Sequence, residues 1–183
     1  YFIEVSENAK NEIGIKADAD YYDAICAIRL HQADADEKIL KFVDNYPNST
    51  KKYKAYFNVG NYYFANKKAA YALKWYSKVN SDAFSLVNKK ELNFKMGYAY
   101  LSTRNLDLAK KKFIALINDP KYGNDSRYYF GYISYKQEDY EIAEQTLQEI
   151  ADDEAYKSEV TYYLLDISFK AGSFEKCIEV GMK

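Results

Sequence analysis

The chain has 183 residues, 48% hydrophobic and 29% charged, with a formal net charge of −1 from 26 basic and 27 acidic residues. That balance excludes a disordered chain, and the lack of a basic excess argues against nucleic acid as a partner. No apolar run approaches the roughly 20 residues that span a bilayer, so no transmembrane segment is expected. Two prolines and seven glycines favour long helices, and the anomaly is aromatic: 21 tyrosines, ten phenylalanines and one tryptophan.

In chain order, residues 1–52 form the most divergent stretch, with two helical segments, ADADYYDAICAIRLH and DADEKILKFVDNYPNS, the second ending at Pro47. From Tyr53 onward the chain repeats. Gly97 and Gly131 are separated by a step of 34, as are Ala109 and Ala143, and Leu106, Tyr140 and Phe174 keep the same step. Within each unit a glycine is followed at +12 by an alanine and at +16 by a large side chain: Gly60, Ala72, Tyr76; Gly97, Ala109, Phe113; Gly131, Ala143, Leu147. The step from Gly60 to Gly97 is 37, which places an insertion of three in NSDAFS. These spacings predict units at 53–89, 90–123 and 124–157 and an incomplete one at 158–183, each made of two amphipathic helices. In the third unit, DSRYYFGYISYKQ is the first helix and YEIAEQTLQEIA the second, with Asp125 or Asp139 expected to accept backbone N–H bonds at their starts. The recurring glycine and alanine let the two helices approach closely.

These residues resemble the tetratricopeptide repeat, whose pattern pairs Leu-Gly and Tyr on helix A with Ala and Phe on helix B. Val59-Gly60 with Tyr63, Ala72 and Tyr76 fits, as does Met96-Gly97 with Tyr100, Ala109 and Phe113. Phe130-Gly131 fits, with Ser134 in place of the Tyr; the fourth unit has Leu165, Ser168 and Cys177 at the Gly, Tyr and Ala positions. The family's Trp near each start is missing. Under this pattern the two N-terminal segments are helices A and B of a divergent unit, and YFIEVSENA is the tail of a preceding helix B. Both ends cut through repeats, so a single array belonging to a longer one is expected. The resemblance implies an all-α, right-handed superhelical solenoid of antiparallel helix pairs, with A helices on the inner wall. The abundance of Lys, Asn and Tyr resembles family members of the bacterial cell envelope or periplasm.

The resemblance further implies a groove lined by positions 5, 9 and 12 of each helix A. Those are Phe57, Asn61 and Phe64; Phe94, Tyr98 and Leu101; Tyr128, Tyr132 and Tyr135; Tyr162, Asp166 and Phe169. In the third unit the spacing is i, i+4, i+7, one helical face. Aromatic walls of this kind grip a peptide or protein segment, and a carbohydrate stacking on the same rings is the alternative ligand. The family's carboxylate clamp is not assembled, because position 5 is always aromatic and Glu91, Asp125 and Glu159 stand at position 2. Ligands with apolar anchors flanked by basic groups follow as the expectation.

No catalytic set is apparent. His31 is the sole histidine and is expected at a helix end; Asp34–Glu37 reads as an acidic helix start and not as a metal loop; Lys110–Lys112 reads as a solvated face. Cys26 and Cys177 form no metal-binding pair. Tyr140 and Trp75 are expected in packing, Tyr129 at the groove's edge, and no cofactor or metal is expected. A non-catalytic interaction scaffold is the reading.

Overall fold

A computed structural model describes residues 13–83 and 85–181, and every regular element among them is helical. The segment YFIEVSENA lies outside the described residues. Ten α-helices follow one another: α1 Ile13–Arg29, α2 Ala35–Asn45, α3 Lys52–Ala65, α4 Ala69–Tyr76, α5 Leu86–Ser102, α6 Leu106–Ile114, α7 Gly123–Lys136, α8 Tyr140–Gln148, α9 Lys157–Lys170 and α10 Phe174–Gly181. A single 3₁₀ turn, Ser81–Ala83, occupies the stretch where the longer repeat step places its insertion. Long and short helices alternate, and connections this short return the chain antiparallel. The third pair runs Gly123–Lys136 and Tyr140–Gln148, so its first helix begins two residues earlier than the sequence suggests and its second ends three residues sooner.

The chain forms two compact units, Tyr1–Leu92 and Asn93–Lys183. In the first, α1 to α4 share a core of Ala24, Ile28, Ile39, Phe42, Val59 and Trp75, and the Trp75 ring tilts over Tyr56 at 6.0 Å. Asp36 and Glu37 occupy the first turn of α2, where the helix dipole favours negative charge, and Pro47 follows just after the helix ends. In the second unit, Phe113, Phe130 and Ile133 pack together, and Leu147, Ile150, Val160 and Leu164 form a further cluster. Fully burying one such side chain contributes about 1.5–3 kcal/mol.

The helix pairs are fitted by size. A Cβ on Gly60 would lie 2.4 Å from the Tyr76 ring, on Gly97 3.0 Å from the Phe113 ring, and on Gly131 2.7 Å from Leu147 Cγ. Each glycine therefore makes room for the large side chain at +16 on the partner helix, and Ala72, Ala109 and Ala143 are fully buried.

Every turn from a long helix to its short partner contains one residue in the left-handed region: His31, Lys67, Arg104, Glu138 and Gly172, with φ between 57° and 69°. The following backbone N–H bonds five positions back in all five turns, from Gln32 to Ala27, Lys68 to Tyr63, Asn105 to Tyr100, Asp139 to Ser134 and Ser173 to Ser168, at 2.9 to 3.0 Å. This is a Schellman-type C-terminal cap, which satisfies carbonyls that the helix leaves open. His31 thus stands just past the end of α1.

The helix starts differ from expectation. Asp139 occupies the N-cap of α8 without a side-chain cap bond, and pairs instead with Lys110 at 3.3 Å. Asp125 sits in the first turn of α7, where it accepts the Tyr156 hydroxyl. Both carboxylates have partners from neighbouring helix pairs, an ammonium in one case and a phenol in the other, and these take precedence over local N–H groups.

Candidate functional site

Position 5 is a packing position in the first three repeats. Phe94 stacks on Tyr122 with centroids 4.9 Å apart, and Tyr128 stacks on Tyr156 at 4.8 Å. Tyr122 and Tyr156 are the N-cap residues of α7 and α9, so each stack braces the start of the next long helix. In the first unit Phe57 is only 7% exposed and tilts over Tyr76, whose hydroxyl donates to Asn61 Oδ1 at 2.9 Å; Phe64 is half-buried. Tyr162, at position 5 of α9, is 62% exposed.

Positions 9 and 12 of α7 are half-buried against α9. The rings of Tyr132 and Tyr135 lie 5.7 Å and 4.9 Å from that of Tyr163. Tyr163 is absent from the sequence-derived set, yet its ring also meets the edge of Tyr162. Its signal was the repeat step itself, since Tyr163 stands one full repeat after Tyr129. Tyr129 in turn stacks on Phe113 at 5.1 Å and meets the edge of Tyr98, which is 40% exposed. In the units starting at 124 and 158, position 6 therefore carries the ring that bridges to the preceding long helix. Leu101 packs against the core around Phe113 and Phe130.

The far end of the surface is polar. Tyr135 donates its hydroxyl to Asp166 Oδ2 at 2.6 Å, and Lys170 reaches the same oxygen at 2.7 Å. The Lys170 ammonium also sits 4.9 Å above the Tyr135 ring and 5.2 Å above that of Tyr140. Lys170, with the Tyr135 hydroxyl, holds the Asp166 carboxyl below the usual carboxylate range. Lys136 lies 5.6 Å over both Tyr132 and Tyr135. Phe169 is 63% exposed and meets the edge of Phe174.

These groups offer apolar ring faces, fixed hydroxyls and a tethered ion pair. Burial raises the Tyr128 phenol and, to about 12, the Tyr163 phenol, while the bond to Asp166 raises Tyr135. All three stay neutral at physiological pH and serve as hydrogen-bonding groups rather than as nucleophiles. Among the described residues no helix is long and apolar enough to cross a membrane, and no cluster of three or more His, Cys, Asp or Glu could hold a metal ion.

No family model matches the chain, and no curated protein matches its sequence. Solved structures do. The chain is similar to YrrB, described as a TPR protein with an unusual peptide-binding site, with a TM-score of 0.69 and 15% identity over 98% of this chain and 88% of that one. It is also similar to PilF of Pseudomonas aeruginosa, with a TM-score of 0.58 and 15% identity over 97% of this chain and 82% of that one.

Proposed function

We propose that this chain, whose fold is that of the tetratricopeptide-repeat proteins, is a non-catalytic scaffold that binds a peptide or protein segment across the aromatic face of its long helices. The observation that carries this reading is the run of rings on α5, α7 and α9. Tyr98, Tyr162 and Phe169 are exposed, and Tyr128, Tyr132 and Tyr135 are half-buried beside the bridging Tyr163. Rings held on both sides by neighbours lose little freedom when a ligand covers them, which favours their use as anchors. The peptide-binding site named for YrrB supports the same class of ligand. Position 5 of the first three repeats then acts as a brace, Tyr162 stays part of the surface, and the surface is narrower than the twelve residues read from the sequence. The repeat limits at 53, 90, 124 and 158 and the bacterial envelope or periplasm as compartment belong to the same proposal.

A random peptide library displayed on phage tests it. Selected peptides should share apolar anchors, and Tyr162→Ala and Phe169→Ala should each weaken their binding on the order of 10-fold with an unchanged melting temperature. Tyr132→Lys should abolish binding while the helical circular dichroism persists. Failure to enrich any peptide, or binding indifferent to all three substitutions, would sink the proposal.

A further inference from the structure

The net charge of −1 conceals two opposed surfaces. Residues 51–90 hold nine lysines against one acid, Asp82, whereas residues 137–159 hold nine acids against one lysine, Lys157. The part of the basic stretch that corresponds in its helix pair to 137–159 is 66–88, which holds four lysines, Lys67, Lys68, Lys74 and Lys78, against Asp82. At a constant offset of 71, Lys67 corresponds to Glu138, Lys68 to Asp139 and Lys78 to Glu149. The centre of each surface is apolar and exposed at the same offset: Tyr71 on α4 is 57% exposed and Ile142 on α8 is 39% exposed. Tyr71 is held flat by stacking on Tyr63 at 5.4 Å.

Lys67, Lys68 and Lys74 are exposed and have no ion-pair partner among the described residues, and the same holds for Glu138 and Glu141. Other members are engaged. Lys78 lies over the Tyr56 and Trp75 rings, Asp139 is paired with Lys110, and Glu149 with Arg127. The intervening pair carries Arg104, Asp107, Leu108 and Lys111 around the equivalent face, a mixture of signs, so the opposition is particular to α4 and α8.

We propose that a second copy of this chain is the partner of these faces: the lysine-rich α4 face of one copy docks on the acidic α8 face of another, with Tyr71 against Ile142 between the charges. Two helical faces of matching register and opposite sign are complementary by construction, and like-sign pairing is disfavoured. The contact joins different patches, so it either closes as a two-fold dimer that makes it twice or propagates as a chain of copies.

Sedimentation velocity of the chain tests this. At about 0.01 M salt, where the screening length is roughly 30 Å, the chain should associate; at about 1 M, where it is roughly 3 Å, it should dissociate. The triple variant Lys67→Glu, Lys68→Glu, Lys74→Glu and the double variant Glu138→Lys, Glu141→Lys should each raise the dissociation constant on the order of 10-fold or more, with unchanged helical circular dichroism. Mixed together, the unaltered acidic α8 face of the triple variant can dock on the unaltered lysine-rich α4 face of the double variant, so the two should associate with each other. A monomer at low salt, association insensitive to salt or to either reversal, or variants that fail to associate when mixed would each overturn the proposal.

Discussion

Gly131 and Leu147 form a size pair that Leu165 and Gly181, at the same separation in the next helix pair, do not repeat. In the α7–α8 pair the glycine is on the long helix, and its missing Cβ would fall 2.7 Å from Leu147 Cγ. In the α9–α10 pair the leucine is on the long helix, and a Cβ on Gly181 would lie 3.9 Å from Leu165 Cδ2. A Cβ on Gly131 has no room, whereas one on the exposed Gly181 would meet Leu165 at ordinary van der Waals distance, so the tight fit belongs to the α7–α8 pair.

Gly131→Ala should therefore destabilise the fold despite alanine's helix preference of about 1 kcal/mol. Leu147 is fully buried, and forcing it aside costs about 1–3 kcal/mol. In urea denaturation the double variant Gly131→Ala, Leu147→Ala should lose less than the sum of the single variants. Additivity within roughly 0.5 kcal/mol would show that the two sites do not share space.

Arg104 holds φ of 62° in an exposed turn. A side chain there carries a strain of roughly 1–2 kcal/mol that glycine lacks, partly offset by glycine's greater entropy when unfolded. Arg104→Gly should stabilise by about 0.5–1 kcal/mol and Arg104→Ala should not. Equal melting temperatures for the two variants would contradict the backbone argument.

The Ser134 hydroxyl is fully buried with no hydrogen-bond partner, as is that of Ser126. Desolvation of an unmatched hydroxyl opposes folding, so Ser134→Ala should raise stability by about 1 kcal/mol. A measured loss of that size would reveal a partner for the hydroxyl.

Alkaline unfolding has a definite sign. Burial, aided by a bond to Asp20 for Tyr46 and to Asp36 for Tyr63, pushes those phenols up to about 12, and burial does the same for Tyr163. The unfolded chain ionises near 10, so between about 10 and about 12 it releases protons that the folded chain retains, and stability falls as pH rises. Tyrosinate absorbance should show a class that titrates late, together with loss of helicity. A single class near 10 with helices intact would refute this.

The regular step linking Gly97 to Gly131 and Ala109 to Ala143 was enough to read paired helices, because a glycine tolerated inside a helix marks a place where nothing larger fits. It identified the tight spot without its occupant; only the folded chain shows that Tyr76, Phe113 and Leu147 fill it. The turns were less legible. A left-handed residue is announced by glycine at position 172 alone, while His31, Lys67, Arg104 and Glu138 take that conformation because the cap bonds around them over-determine it.

The candidate surface divides along the same line. Period and spacing put Tyr128, Tyr132 and Tyr135 on one face of α7, since helical geometry alone relates i, i+4 and i+7. Which rings remain open was decided by the next helix pair. Tyr156 covers Tyr128 and Tyr163 lies against Tyr132 and Tyr135, whereas the equivalent Tyr162 and Phe169 remain exposed. Exposure depends on what packs across from a residue, and no property of a single helix encodes that.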